Sequence, residues 1–126
     1  MMQLPEEARE AWEKREGPVV FTTVDGQGEP NTIYVSCVYL HGDDRIVVAN
    51  NKFSKTLANI KDGCRGTILY ITASKKAYQL KGIVDYQTAG PVFDEMKNGW
   101  LAERYPGHGA AVLTITEVFH GAKKLA

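Results

Sequence analysis

The sequence lacks the features that mark several large classes of protein. Its two cysteines, Cys37 and Cys64, are not spaced as a CxxC pair, which disfavours a disulfide framework or a thiol redox motif. Fifteen basic and fifteen acidic side chains give a net charge of zero, which argues against electrostatic binding to nucleic acid or to an acidic membrane. No apolar run approaches the roughly 18 residues of a membrane helix, and no secretory segment precedes the cysteines. We therefore expect a cytoplasmic protein with free thiols.

Catalytic and metal-binding motifs are equally scarce. The three histidines, His41, His108 and His120, have no ligand spacing with cysteine or carboxylate, so no metal site is predicted. No Ser-His-acid arrangement can be assigned, and the Walker A and GxGxxG loops of common nucleotide sites are absent. These absences leave the catalytic residues unknown.

What the chain does contain is a series of strand patterns separated by turn signals. Its 126 residues fit one domain, residues 1–126. The patterns predict helices from Leu4 to Arg15, over Lys55–Lys61 and over Val92–Tyr105. They predict six strands over Val19–Val24, Asn31–Leu40, Arg45–Ala49, Arg65–Thr72, Ala77–Gln87 and Ala110–Val118. Because hairpin turns connect most strands, we expect a mainly β fold with flanking helices, arranged as a small antiparallel barrel that is closed or nearly closed.

Three local features sharpen this prediction. Both faces of the Asn31–Leu40 strand are apolar or small, so we expect both faces to be covered. Gly82 lies inside a strand, which indicates a bend, a bulge or a close backbone approach. The pairs Lys75-Lys76 and Lys123-Lys124 are expected in a solvated turn and a frayed tail, respectively.

The turn from Asn50 to Thr56 carries most of the chemistry. It joins a strand to a helix start, where unpaired backbone N–H groups are available. Ser54 and Thr56 add hydroxyls, Lys55 adds an ammonium group, and Asn50 and Asn51 add amides. Charge compensation with several donors suits a phosphate monoester. By local pattern alone, the alternative stays open that Ser54 only caps the helix and Lys55 is only solvated.

The order of elements adds a resemblance to these local observations. An N-terminal helix leads to a strand, a glycine-rich turn and Pro30. A long strand follows, then a strand that ends before Ser54-Lys55-Thr56, and later a strand with the central Gly82. From about Gly17 to Val118, this order resembles the pyridoxamine 5'-phosphate oxidase-like family of FMN-binding split barrels, especially its short single-domain members. The fold implied is a six-stranded antiparallel split β-barrel.

The resemblance implies FMN as the cofactor, with its phosphate held by Ser54, Lys55 and Thr56. It implies that the backbone of Val47–Asn50 runs along the isoalloxazine edge, with further contacts from the second and fifth strands. It also implies a homodimer with the flavin at the subunit interface. The full set of cofactor-binding candidates is Tyr34, Ser36, Val48, Ala49, Asn50, Asn51, Ser54, Lys55, Thr56, Gln79 and Lys81.

The activity is less well defined than the cofactor. The C-terminal segment shows no equivalent of the arginine and histidine pattern with which longer members hold a substrate phosphate, and Arg104 stands alone, so pyridoxamine phosphate oxidation is not expected. An FMN-dependent oxidoreductase or flavin reductase acting on an unknown small substrate is one hypothesis. A non-enzymatic FMN carrier or electron-transfer protein is another. A barrel that binds a deazaflavin or haem is a third. A fourth, a barrel that binds nucleic acid, is disfavoured by the net charge of zero.

Overall fold

Strand-forming segments and turn glycines organise the chain into one antiparallel sheet. The computed structural model describes residues 2–61 and 63–126. In this part of the chain, the sheet is ordered β2-β1-β5-β6-β7-β4-β3, with β8 paired to β7. The strands are β1 (Val19–Val24), β2 (Pro30–Val35), β3 (Val38–His41), β4 (Arg45–Ala49), β5 (Cys64–Ile71), β6 (Ala77–Gln87), β7 (Ala110–His120) and β8 (Lys123–Lys124).

The first and last strands of this path follow one another in the sequence. Only Ser36 and Cys37 lie between β2 and β3, which are the first and last strands of the path. A sheet whose two outer strands are joined by two residues must curl until its edges approach. The edges meet in a seam at Ser36–Cys37, where the chain passes from one edge to the other. The prediction of a mainly β split barrel with flanking helices is therefore confirmed.

The number of strands differs from the prediction of six for two local reasons. The expected strand Asn31–Leu40 is divided at Ser36–Cys37, where the Val38 amide donates to the Ser36 carbonyl at 3.1 Å. The expected frayed tail at Lys123-Lys124 instead forms β8. Gly121, with φ of 57°, turns the chain back so that the tail pairs with β7.

Three helices flank the sheet within the described residues. They are α1 (Glu6–Glu13), α2 (Lys55–Ile60) and α3 (Pro91–Glu95), and α3 continues as a π-helix over Met96–Trp100. The predicted helix Val92–Tyr105 was too long, because Leu101 already has an extended backbone. Gly99 weakens the last turn, and Pro106 disfavours helical geometry in the residue before it.

Two clusters of apolar side chains stabilise the barrel. The larger one fills its interior and includes Phe21, Ile68, Leu80 and Leu113. The backbones of β6 and β7 approach closely at Gly82, since a Cβ there would lie 1.9 Å from the Thr114 carbonyl oxygen. The register also shifts between Lys81 and Gly82, so the expected bulge and close approach are both present. The smaller cluster packs α3 and the π-helix against the other face of β4 and β7; its buried members are Val47, Ala49, Val92, Met96, Leu101, Ala110 and Val112.

The outer face of the barrel beside β2 is not covered. Tyr34 is 76% exposed, and Thr32 and Ser36 on the same face are exposed too, contrary to the expectation of cover on both sides. The strand register continues this face across the sheet, because the residues opposite one another share a side. One such row is Tyr34, Val20, Leu69, Gln79 and Phe119.

Candidate functional site

A groove of about 260 Å³ opens at the seam of the barrel. One wall is the end of β2, from Ile33 through Ser36 to Cys37. The other is the end of β4 and the turn that follows it, with Ala49 and the segment 51–53. Tyr105 closes the groove from the segment after the π-helix. Four of the predicted site residues meet here: Tyr34, Ser36, Ala49 and Asn51.

The phosphate-binding residues expected at the start of α2 lie directly after this wall. Ser54 and Lys55 are exposed. Ser54 makes no side-chain capping bond to the helix, so its hydroxyl is not committed to the role of a cap. Thr56 is only 3% exposed, and its hydroxyl accepts a hydrogen bond from the Asn31 amide at 3.0 Å. A hydroxyl that accepts one bond can still donate its own hydrogen.

A second groove, of about 550 Å³, runs between α2 and the β1–β2 turn. Lys55 and Asn31 line it together with Asn59, whose amide donates to the Thr23 hydroxyl at 3.0 Å. Two carboxylates, Asp25 and Glu29, lie in the same groove. An anion bound here would therefore depend on the positive charge of Lys55.

Asn50 has a different environment from its neighbours. It is 3% exposed, and its polar groups bond within the protein. Its side-chain oxygen accepts from the Phe53 amide at 2.8 Å, and its side-chain nitrogen donates to the Tyr86 hydroxyl at 2.8 Å. Its backbone bonds to His108 and Gly109. This side chain therefore holds the turn together rather than facing the groove.

Other predicted residues are divided between the core and the groove wall. Val48 is fully buried, with its side chain in the barrel interior and its strand paired with β3 and β7, so it does not line the groove. Asn51 is half-buried, and its side-chain oxygen accepts from the Gly107 amide at 3.1 Å. Ala49 contributes to the groove although most of its surface packs against α3.

Gln79 and Lys81 are not brought to the same place as the other candidates. Both lie on the outer face of β6, and Lys81 sits over the ring of Phe119 at 5.4 Å. The register places β6 three strands from β2, roughly 14 Å at ordinary strand spacing. Within one chain these two side chains are therefore separate from the seam groove.

Several groove residues were not anticipated from the sequence. Lys52 and Phe53 belong to the same polar turn and could have been included from their position. Asn31 and Tyr105 reach the site only through the fold, so no local pattern identified them. Arg104 lies against the Tyr105 ring at 4.8 Å, and its hydrogen bond to the Tyr105 hydroxyl raises the pKa of Arg104.

Comparison with solved structures places this geometry in a known fold. The HupZ protein of Group A Streptococcus superposes with a TM-score of 0.82 at 20% identity, covering 98% of each chain. An FMN-binding protein of Syntrophomonas wolfei gives 0.75 at 22% identity, covering 96% of this chain and 85% of that one. An F420 reductase gives 0.69 at 16% identity, covering 92% and 98%, respectively. At these identities the likeness establishes the fold alone.

Sequence comparison adds the family. No curated protein matches the chain by sequence. None of the helices in the described part of the chain is both long and apolar enough to cross a membrane. The sequence profile described as pyridoxamine 5'-phosphate oxidase matches residues 4–120. Because this match extends over nearly all of the strands and helices that build the seam groove, the chain belongs to the pyridoxamine 5'-phosphate oxidase family.

Proposed function

We propose that the protein is a flavoprotein that binds FMN along the seam of the barrel. The observation that carries the proposal is the continuity of two features: a groove between β2 and β4, and exposed Ser54 and Lys55 directly beyond its wall. A cofactor with a ring at one end and a phosphate at the other needs both features. The FMN-binding protein of Syntrophomonas wolfei, which shares the fold, supports the choice of cofactor.

The residues present fit this cofactor in their chemistry. Lys55 would compensate the phosphate charge, and the hydroxyls of Ser54 and Thr56 would donate to its oxygens. Ala49 and Asn51, with the side chains of Tyr34 and Ser36, would line the ring and its ribityl chain. Bound FMN would supply hydride or single-electron transfer, which explains why no acid–base motif is needed in the protein.

The proposal includes a homodimer with the flavin at the subunit interface. Its support is the exposed outer face of the sheet, where large apolar side chains such as Leu69 and Ile83 are 39% and 45% exposed. Apolar faces of this kind mark interaction surfaces. Gln79 and Lys81 lie on this face, so a second copy packed against it would bring them toward the partner's cofactor. This arrangement gives them a role that they cannot have within one chain.

We further propose that the protein is an oxidoreductase acting on a small molecule of unknown identity. The support is the position of the groove, which lies open to solvent between Ser36 and Tyr105 and so leaves access to a ring bound there. Turnover of reduced nicotinamide by the FMN-loaded protein separates this activity from the alternative of an FMN carrier. An FMN-loaded protein that oxidises no donor and reduces no acceptor would favour the carrier.

The cofactor is tested by absorption spectroscopy of the purified protein, before and after FMN is added and excess is removed. The Lys55→Ala variant tests the phosphate site, and Lys61→Ala, at the residue that follows the same helix, is its matched control. Losing a charged hydrogen-bond donor is expected to weaken FMN binding about 10- to 100-fold while riboflavin, which has no phosphate, binds as before. Equal FMN affinity in wild type and Lys55→Ala would exclude the phosphate assignment.

A further inference from the structure

A residue outside the groove contacts the turn that forms part of the groove wall. Tyr86 is on β6 and points into the barrel interior, where it packs against the main apolar cluster. Its hydroxyl oxygen lies 2.8 Å from the side-chain nitrogen of Asn50, the first residue of the polar turn. Tyr86 itself does not line the seam groove. Its position is therefore suited to holding the turn from behind.

The donor and acceptor roles in this contact follow from the network. The Phe53 amide can only donate, so the side-chain atom of Asn50 that faces it at 2.8 Å must be the oxygen. The nitrogen then faces Tyr86, whose hydroxyl oxygen accepts. One amide side chain thus links the centre of the sheet to the backbone of Phe53, which forms part of the groove wall.

Two glycines make this arrangement possible. Tyr86 reaches Asn50 by passing over Gly109, where a Cβ would lie 2.2 Å from the tyrosine oxygen. Gly107, with φ of +51°, turns its amide toward the Asn51 side chain. The segment 107–109 therefore packs along the turn, and any side chain at position 109 would displace the tyrosine.

We propose that Tyr86 is a positioning residue for the cofactor site: its hydroxyl, acting through Asn50, orders the 50–53 turn before any ligand binds. The consequence for flavin binding rests on the proposed function, but the ordering of the turn does not. A turn already held in place costs less conformational entropy when a ligand binds. Loss of the hydroxyl should therefore loosen the groove wall without touching the phosphate-binding side chains.

The first measurement is amide hydrogen exchange in the protein without flavin. Tyr86→Phe keeps the ring that packs in the core and removes only the hydroxyl. We expect exchange of the Phe53 amide to rise about fivefold, as for the loss of one hydrogen bond, while the amides of β5 keep their rates. In an Asn50→Ala background, the same substitution should add nothing further, because the link is already broken.

Tyr70→Phe provides the matched control, since it removes a buried tyrosine hydroxyl at the opposite end of the barrel. In this control, the exchange rate of the Phe53 amide, relative to that of the β5 amides, should equal the wild-type value. Unchanged Phe53 exchange in Tyr86→Phe would overturn the proposal. The proposal would also fail if the β5 amides of Tyr86→Phe exchanged faster by the same factor, or if Tyr70→Phe raised Phe53 exchange equally. Either result would report general destabilisation.

Flavin titration supplies the second measurement. Tyr86→Phe is expected to weaken FMN and riboflavin equally, about fivefold, whereas Lys55→Ala weakens FMN alone. A selective loss of FMN affinity in Tyr86→Phe would contradict a role in shaping the ring groove. If wild type binds neither flavin, the proposed function fails, and the exchange of Phe53 still decides whether Tyr86 orders the turn.

Discussion

The two ends of the barrel are covered by helices of contrasting character. Helix α1 covers the end where β5 finishes and β6 begins, and a column of rings fills the space beneath it. Trp12 meets Tyr70 edge-on at 5.1 Å, Tyr70 stacks on Tyr78 at 5.8 Å, and Tyr78 stacks on His120 at 4.6 Å. Helix α2 covers the other end with a short, polar first turn that includes Lys55.

Polar groups are also used differently at the two ends. At the α1 end, the Tyr70 hydroxyl donates to the Ala8 carbonyl at 2.8 Å, and the Tyr78 hydroxyl donates to the Glu7 carboxylate at 2.9 Å. At the α2 end, Ser54 and Lys55 point their polar groups toward solvent. The α1 end therefore uses its polar groups within the fold, whereas the α2 end leaves Ser54 and Lys55 free for the ligand that we propose.

The largest expected effect comes from removing the Trp12 side chain at the α1 end. Trp12 is 4% exposed, and Trp12→Ala would leave a cavity beneath α1. Replacing a buried tryptophan by alanine costs about 3–5 kcal/mol of unfolding free energy, a large share of the stability of a small domain. Urea unfolding measures this loss, with Glu13→Ala on the exposed side of α1 as the control. The FMN affinity of the folded variant should stay within about twofold of wild type. A larger decrease would show that the two ends of the barrel do not act independently.

A smaller effect is expected from charging the outer face. Leu69→Lys places an ammonium group in the middle of the row that we propose packs against a second copy. We expect the variant to sediment as a monomer and to bind FMN at least tenfold more weakly, about 1.4 kcal/mol, although Lys55 is intact. Ala73→Lys, which adds the same charge in an exposed turn, is the control. If the Leu69→Lys protein sediments like wild type and binds FMN with wild-type affinity, the interface lies elsewhere.

Sequence patterns predicted the fold well where local signals and the final structure agree. Ala77–Gln87 was predicted as a strand with the bounds observed, and the bulge at Gly82 followed from glycine in a strand interior. The break at Ser36–Cys37 was missed because it is imposed by closure of the barrel. Nothing in the local alternation of Asn31–Leu40 distinguishes one long strand from two that belong to opposite edges of the sheet.

The site was predictable only where its residues are neighbours in the sequence. Ser54, Lys55 and Thr56 are contiguous, so their grouping could be recognised from the sequence, and their role in binding FMN stays a prediction. Asn31 and Tyr86 join the site from β2 and β6, at 25 and 36 residues from their hydrogen-bond partners. Contacts at such separations depend on strand register, which a single sequence does not specify. The exposed face of β2 was misjudged because an apolar pattern does not distinguish a buried inner face from an exposed outer one.

The smallest expected effect concerns pH at the α1 end. Burial raises the pKa of Tyr70 above the ordinary value of 10.0, and burial with the hydrogen bond to Glu7 raises that of Tyr78. A phenol whose pKa is higher in the folded state stabilises the fold below pH 10, and this contribution is lost as the pH rises toward the folded-state pKa. Tyr70→Phe cannot ionise in either state. The stability advantage of wild type over Tyr70→Phe should therefore shrink above pH 10, by at most about 1.4 kcal/mol per pH unit. Urea unfolding of both proteins between neutral and alkaline pH measures this difference, and an advantage that stays constant or grows would show that the Tyr70 phenol ionises as easily in the folded protein as in the unfolded chain.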